Sequence, residues 1–279
     1  MMMIDPSLRW LFDAAVILYA LSILFYFIDF VQNNRKASRI AFWLLAVVWV
    51  LQTTFFILKM IEMGRFPVLS MFEGMYFYTW LLVTFSLVMN RLIRVAFAVL
   101  FTNIVGFCFL VLHLFSPQQY ESAMLSEKLM SELAILHIAM AFIAYGAFTL
   151  AFVFSLLYVL QYKWLKKRQW GTKLQRLSDL SHLEKLSFVF TILGVPLLFL
   201  SLILGTFWAS LTVAHFQWYD PKVVGSFLVL AVYSVLLFWK ASGRLFGLSM
   251  AKWTFISFCV LVANFYLVGI FSRFHIWSA

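Results

Sequence analysis

Eight stretches of the chain are each long and apolar enough to cross a lipid bilayer, and this one feature leaves almost no other fold open. They run near 11–31, 40–60, 71–90, 95–115, 133–161, 188–211, 223–240 and 253–271. A helix needs about 20 apolar residues to span the hydrocarbon, whereas a barrel strand needs only about 10. Backbone N–H and C=O groups in lipid must be satisfied within the segment itself, so runs of this length read as helices. Composition agrees: of 279 residues, 65% are hydrophobic and 11% charged, against roughly 25% charged in a soluble domain. The fold class expected is all-α, a polytopic bundle forming a single transmembrane domain over 1–279. The first run lacks a basic leader and exceeds the apolar core of a cleaved signal, so it reads as a permanent span.

The net charge of +10 need not mean nucleic acid, because membrane proteins concentrate Lys and Arg in cytoplasmic loops. Fifteen of the 21 basic residues follow the odd-numbered spans: Arg35, Lys36 and Arg39; Arg91 and Arg94; seven between Lys163 and Lys185; and Lys240, Arg244 and Lys252. The positive-inside rule puts those loops in the cytoplasm and both termini outside, in a bacterial-type plasma membrane. The longest such loop, 162–187, carries the stripe Leu174, Leu177, Leu180, Leu183 and Leu186 among its basic residues. It reads as a helix lying on the inner membrane surface; the less favoured alternative is a binding site for a cytoplasmic protein.

Cys108 and Cys259 stand alone in apolar runs without a CxxC pair, which argues against a thiol relay and a thiolate metal site. The fifth span is long for a simple crossing and is expected to project beyond one face. Gln52, Asn103 and Asn264 lie inside spans, where amides commonly hydrogen-bond between helices. No internal repeat and no charged path near the midplane supports a transporter, and no independent catalytic constellation is visible.

Histidines are the remaining source of chemistry. His113, His137, His215 and His275 all fall at or beyond the outer ends of spans, and only His182 is cytoplasmic. Imidazole is a good axial ligand for heme iron, and two histidines on facing helices can clamp one iron. A single histidine at a lipid–water boundary is more often an interfacial polar residue than a ligand. The outer loop after the sixth span adds Trp208, Trp218, Tyr219, Asp220 and Lys222. Such aromatics can form a platform for a flat porphyrin, and Lys222 can meet a carboxylate. They can equally be an aromatic belt.

The runs Leu193-Gly194-Val195-Pro196-Leu197-Leu198, Gly205-Thr206-Phe207-Trp208-Ala209 and Trp218-Tyr219-Asp220-Pro221-Lys222 resemble the CcsA/CcmC family of cytochrome c assembly proteins. So do Gly64-Arg65-Phe66-Pro67-Val68 with Phe72-Glu73, and Leu180-Ser181-His182-Leu183 with Leu186. The likeness covers roughly 60–275. It implies heme on the outer face beside a tryptophan-rich loop, between two histidines matched here by His137 and His275. The chain departs from the pattern at Gln217, Tyr219 and Val223, which counts against a full platform for attaching heme to apocytochrome. The segments 18–22 and 25–29, with Phe274-His275-Ile276-Trp277, are similar to a non-ligase branch of the family from Gram-positive bacteria. That branch implies a regulatory role, lowering the amount of glutamyl-tRNA reductase at the head of tetrapyrrole synthesis. The expectation is a heme-handling regulator that is not itself an enzyme. Its expected cofactor-binding residues are His137, His275, Trp208, Trp218, Asp220 and Lys222, with the two histidines on the iron. The alternatives are a cytochrome c biogenesis factor and a ligand-free scaffold acting through 162–187.

Overall fold

The computed structural model describes residues 6–92, 95, 97–115, 132–168, 179–212 and 217–268. Among them are eight α-helices and no strand: α1 Pro6–Gln32, α2 Arg35–Met63, α3 Met71–Leu92, α4 Ala98–Phe115, α5 Glu132–Lys166, α6 Leu180–Thr212, α7 Pro221–Ala241 and α8 Gly247–Ala263. A π-helical turn, Asn264–Val268, continues α8. The all-helical membrane architecture read from the sequence is therefore present. Six helices are long and apolar enough to span a bilayer: α1, α2, α5, α6, α7 and α8 with its π turn. In α4 the described apolar stretch is shorter, Ala98–Leu112. Helix α3 carries Glu73, two tyrosines and Arg91, which lower its hydropathy, yet Met75–Thr79 are all buried. Neighbouring helices rather than lipid surround that part of α3, so its polar atoms are tolerated.

The chain divides into two compact units, one holding α1–α4 and the other α5–α8 up to Lys163 and from Asp179 onward. In the first unit Tyr19, Leu45, Val48 and Leu110 are wholly or almost wholly buried in one cluster. The Tyr19 hydroxyl donates to Asn103 Oδ1 at 2.9 Å, and Asn103 Nδ2 donates to the Val99 carbonyl at 2.7 Å. This is the interhelical amide bond expected of Asn103. Gln52 differs: its side chain is fully buried, and neither side-chain polar atom has a hydrogen-bond partner among the described residues.

Helices α2 and α3 are joined by a closed square of four side chains. Thr53 donates back to the Trp49 carbonyl (2.7 Å) and Thr84 to the Trp80 carbonyl (2.8 Å), which leaves each hydroxyl oxygen free to accept. Trp49 Nε1 then donates to Thr84 and Trp80 Nε1 to Thr53, both at 2.9 Å. In lipid there is no hydrophobic drive between helices, so such bonds and close packing hold them together. At the end of α2, Gly64 turns the chain with φ 63°, and Arg65 makes a two-pronged ion pair with Glu73 at 2.9 and 3.0 Å. Both side chains are less than 10% exposed.

In the second unit α5 is the central helix, with buried residues from Ala134 to Gln161 and an unbroken buried run from Ala144 to Ala151 that encloses the helix on every side. Phe148 is stacked on Tyr233 of α7, with centroids 3.7 Å apart and planes 14° apart. The same ring lies against Gly194 of α6, where a Cβ would come within 2.5 Å of its Cε1. Near the opposite end from His137, Ser155 hydrogen-bonds Ser187 at 2.9 Å, and Lys240 pairs with Glu184. Helix α6 begins eight residues earlier than the span read from the sequence. The stripe residues Leu180, Leu183 and Leu186 are helical as read, but they open α6 in one continuous helix instead of belonging to a separate surface helix, with Leu183 fully buried and Glu184 paired. Of the 162–187 loop, residues 162–168 follow on from α5 or belong to it and 180–187 open α6, while 169–178 lie outside the described residues.

Candidate functional site

Four helix ends converge on the site, all within the second unit: the start of α5, the end of α6, the start of α7 and the π turn after α8. Helix α5 starts with Glu132, whose charge suits the positive end of the helix dipole. His137 follows one and a half turns later and faces α6. Its ring lies against Gly205, where a Cβ would come within 2.5 Å of Cε1 and 2.6 Å of Nδ1. Only a residue without a Cβ lets the ring sit so close.

One turn back along α6, Ser201 fixes the ring's orientation. His137 Nδ1 lies 2.6 Å from the Ser201 carbonyl oxygen and 3.0 Å from its hydroxyl, and that hydroxyl donates to the His137 carbonyl at 2.8 Å. A carbonyl can only accept, so Nδ1 carries the proton. The hydroxyl has spent its hydrogen on the His137 carbonyl and also accepts from Nδ1. A neutral ring held this way keeps its lone pair on Nε2. Among the described residues nothing hydrogen-bonds Nε2. The pattern matches that of metal-ligating histidines, whose second nitrogen donates to a carbonyl or carboxylate.

Helix α7 is started by Asp220, whose Oδ1 accepts from the Lys222 backbone N–H at 2.8 Å, with Pro221 in the first turn. Asp at the cap and Pro immediately after it form a strong helix-start signal. Asp-Pro-Lys is thus the opening of a helix as well as the end of a loop. The Lys222 ammonium donates to the Asn264 carbonyl at 3.0 Å and sits 5.6 Å from the centre of the Phe265 ring. It is also within electrostatic reach of His137. Asn264 Nδ2 donates to Ser226 at 3.3 Å, tying the π turn to α7. Single π turns within helices recur at functional sites.

The expected site residues therefore separate into three groups. His137, Asp220 and Lys222 are held by named partners at converging helix ends. Trp208 is buried with Ala134 and Ala209, supporting the seat from within α6 and α5. Trp218 and Tyr219 are 63% and 74% exposed on the loop before α7. His275 and His215 lie outside the described residues, as does the side chain of His113; His182 is exposed on α6. Among the described residues no group of three or more His, Cys, Asp or Glu is placed to hold a bare metal ion. Sequence reasoning missed Ser201 as a partner of His137. Its only signal is a small-xxx-small spacing, Ser201 to Gly205, on an otherwise bulky apolar helix.

Residues 68–275 match the family model described as cytochrome C assembly protein. The chain is 49% identical over 276 residues to Protein HemX of Bacillus subtilis (strain 168), covering 99% of this chain and all of that one. It is 42% identical over 271 residues to Protein HemX of Brevibacillus brevis, covering 97% and 99% of the two. With its apolar spans, this places the molecule among multi-pass bacterial membrane proteins.

Proposed function

The chain belongs to the cytochrome c assembly protein family, and from that premise we propose that it is a heme-binding membrane regulator that lowers the level of glutamyl-tRNA reductase. The observation that carries the heme reading is the seat of His137. Ser201 and Gly205 hold a neutral ring with its Nε2 lone pair uncommitted. His137 would ligate the iron from one side and His275 from the other. Lys222, close to the same ring, would neutralise a propionate, and exposed Trp218 would cover a porphyrin edge. Bound heme would supply an iron whose ligation and spectrum report tetrapyrrole supply. The regulatory output would leave through the basic 162–187 segment toward a cytoplasmic partner, glutamyl-tRNA reductase or a protein that acts on it.

The test is an absorbance spectrum of the purified protein in detergent, oxidised and reduced, beside the His137→Ala/His275→Ala double variant. A six-coordinate bis-histidine spectrum that the variant loses supports the heme site. A wild-type protein that stays heme-free after hemin addition removes it. The regulatory half is tested separately, by glutamyl-tRNA reductase abundance in cells carrying wild type, the double variant or a deletion of 165–176. The reading fails if neither variant alters that abundance.

A second reading, a factor presenting heme for attachment to apocytochrome, draws on the family match over 68–275. Gln217 and Tyr219, where the family's loop carries tryptophan, weigh against it. Loss of covalent cytochrome c on deletion of the gene would favour it.

A further inference from the structure

The start of α2 is built like a receptor for an amphiphile. Arg35, Lys36 and Arg39 are all exposed within little more than one turn, and no acidic side chain among the described residues pairs with them. The helix's own first amides are already used: Asn34 Oδ1 accepts from Lys36 N at 3.0 Å and Ala37 N at 3.3 Å. An anion here would therefore meet side-chain cations, not the helix terminus. Arg39 also forms one end of a shallow, open groove of about 320 Å³ on the surface of α2 alone, lined along the helix by Ile40, Trp43, Leu44 and Val47. Trp43 is 64% exposed. The outward stripe runs on through Val50 and Ile57 to Ile61, as expected of a helix face turned to lipid tails.

We propose that this groove is a binding site for one anionic phospholipid, its phosphate held by Arg39 with Arg35 and Lys36, and an acyl chain lying over Trp43 and Val47. The charge pattern selects the occupant. A neutral lipid leaves three cations uncompensated, and a water-soluble anion leaves the apolar groove uncovered. Indole rings favour this depth, where the amphipathic ring reaches from tail to headgroup. The three cations stand on the loop side that the basic-residue bias assigns to the cytoplasm, the leaflet in which anionic headgroups attract such residues.

The test is native mass spectrometry of the full chain in detergent, titrated with phosphatidylglycerol and with phosphatidylcholine of the same chains. Phosphatidylglycerol adducts are expected to form at lower concentration. The Arg39→Gln variant should need about fivefold more of it, from roughly 1 kcal/mol per basic residue near an anionic surface. The triple Arg35→Gln/Lys36→Gln/Arg39→Gln variant should bind both lipids alike, whereas the Arg35→Lys/Arg39→Lys variant should keep the preference. Trp43→Ala should weaken both lipids. Helicity by circular dichroism checks that each variant is folded. Equal binding of the two lipids by wild type overturns the proposal. So does a preference unchanged in the triple variant, which would assign it to the other basic loops. Competition by inorganic phosphate alone, with no effect of Trp43→Ala, would also overturn it, since the apolar groove would then be idle.

Discussion

Gly205→Ala is the sharpest probe of the histidine seat. A Cβ at this position would lie 2.5 Å from His137 Cε1 and 2.9 Å from Nε2, whereas carbon atoms rest at about 3.5–4.0 Å. The ring must retreat by about 1 Å. The Nδ1 to Ser201 contact, now 2.6 Å, would then stretch past the limit of a hydrogen bond, about 3.5 Å. Overpacking costs about 1–3 kcal/mol and the lost bond about 1 kcal/mol, offset by up to about 1 kcal/mol of helix propensity, so the variant should lose about 1–4 kcal/mol. The decisive assay is a double-mutant cycle on unfolding in detergent with His137→Ala. Without the imidazole there is nothing to strike, and glycine to alanine within a helix gains up to about 1 kcal/mol. The cost of Gly205→Ala should therefore vanish or change sign in that background. If it is the same in both, the ring does not rest on Gly205 and the orientation deduced for His137 is wrong.

Ser201→Ala removes the hydroxyl but keeps the backbone carbonyl that orients Nδ1, so it should cost about 1 kcal/mol in unfolding and retain any heme absorbance of the wild type. Glu73→Gln removes the charge that faces the buried Arg65 guanidinium, which keeps its contact with the Phe66 carbonyl. It should cost up to about 3–5 kcal/mol, while the Arg65→Met/Glu73→Leu double variant should cost less than either single change; denaturation in detergent separates the two outcomes. Asp220→Ala should speed hydrogen exchange at the first amides of α7, with a cap loss of about 0.5–2 kcal/mol. Trp49→Phe and Thr84→Val should be coupled by about 0.6 kcal/mol, and at most about 1.7, as is usual for hydrogen bonds between membrane helices.

Helix positions were legible because lipid demands continuous apolarity, a local property that a sliding window detects. The errors fall where burial in protein replaces lipid. The first turns of α6 read as helical but not as part of the span, because Glu184 and Lys185 break the apolar run and the partner of Glu184, Lys240, lies 56 residues away. The extra turn of α2 before residue 40 depends on the Asn34 cap, a single side chain that hydropathy ignores. At the site, His137, Asp220 and Lys222 stood out by residue type. Ser201 did not, because its role exists only through a contact across 64 residues. Gly205 was visible as part of a motif, but the reason for a glycine there, the imidazole against it, belongs to the assembled helices. Gln52 followed the expectation for buried amides in type only, since its side chain finds no partner among the described residues.

The tryptophan–threonine square of α2 and α3 also works as an index mark. The two pairs, 49 with 84 and 53 with 80, share one antiparallel alignment. Slide α3 by one turn in one direction and Trp49 meets Trp80, two donors with no acceptor between them. Slide it the other way and Thr53 meets Thr84, leaving both indoles without their hydroxyls. Each neighbouring alignment thus loses both bonds together, so the helix pair has a single notch where a plain leucine seam would have several. The buried Arg65–Glu73 clasp beyond the α2 terminus bridges the same connection, so side chains near mid-helix and at the loop set one common vernier for the pair.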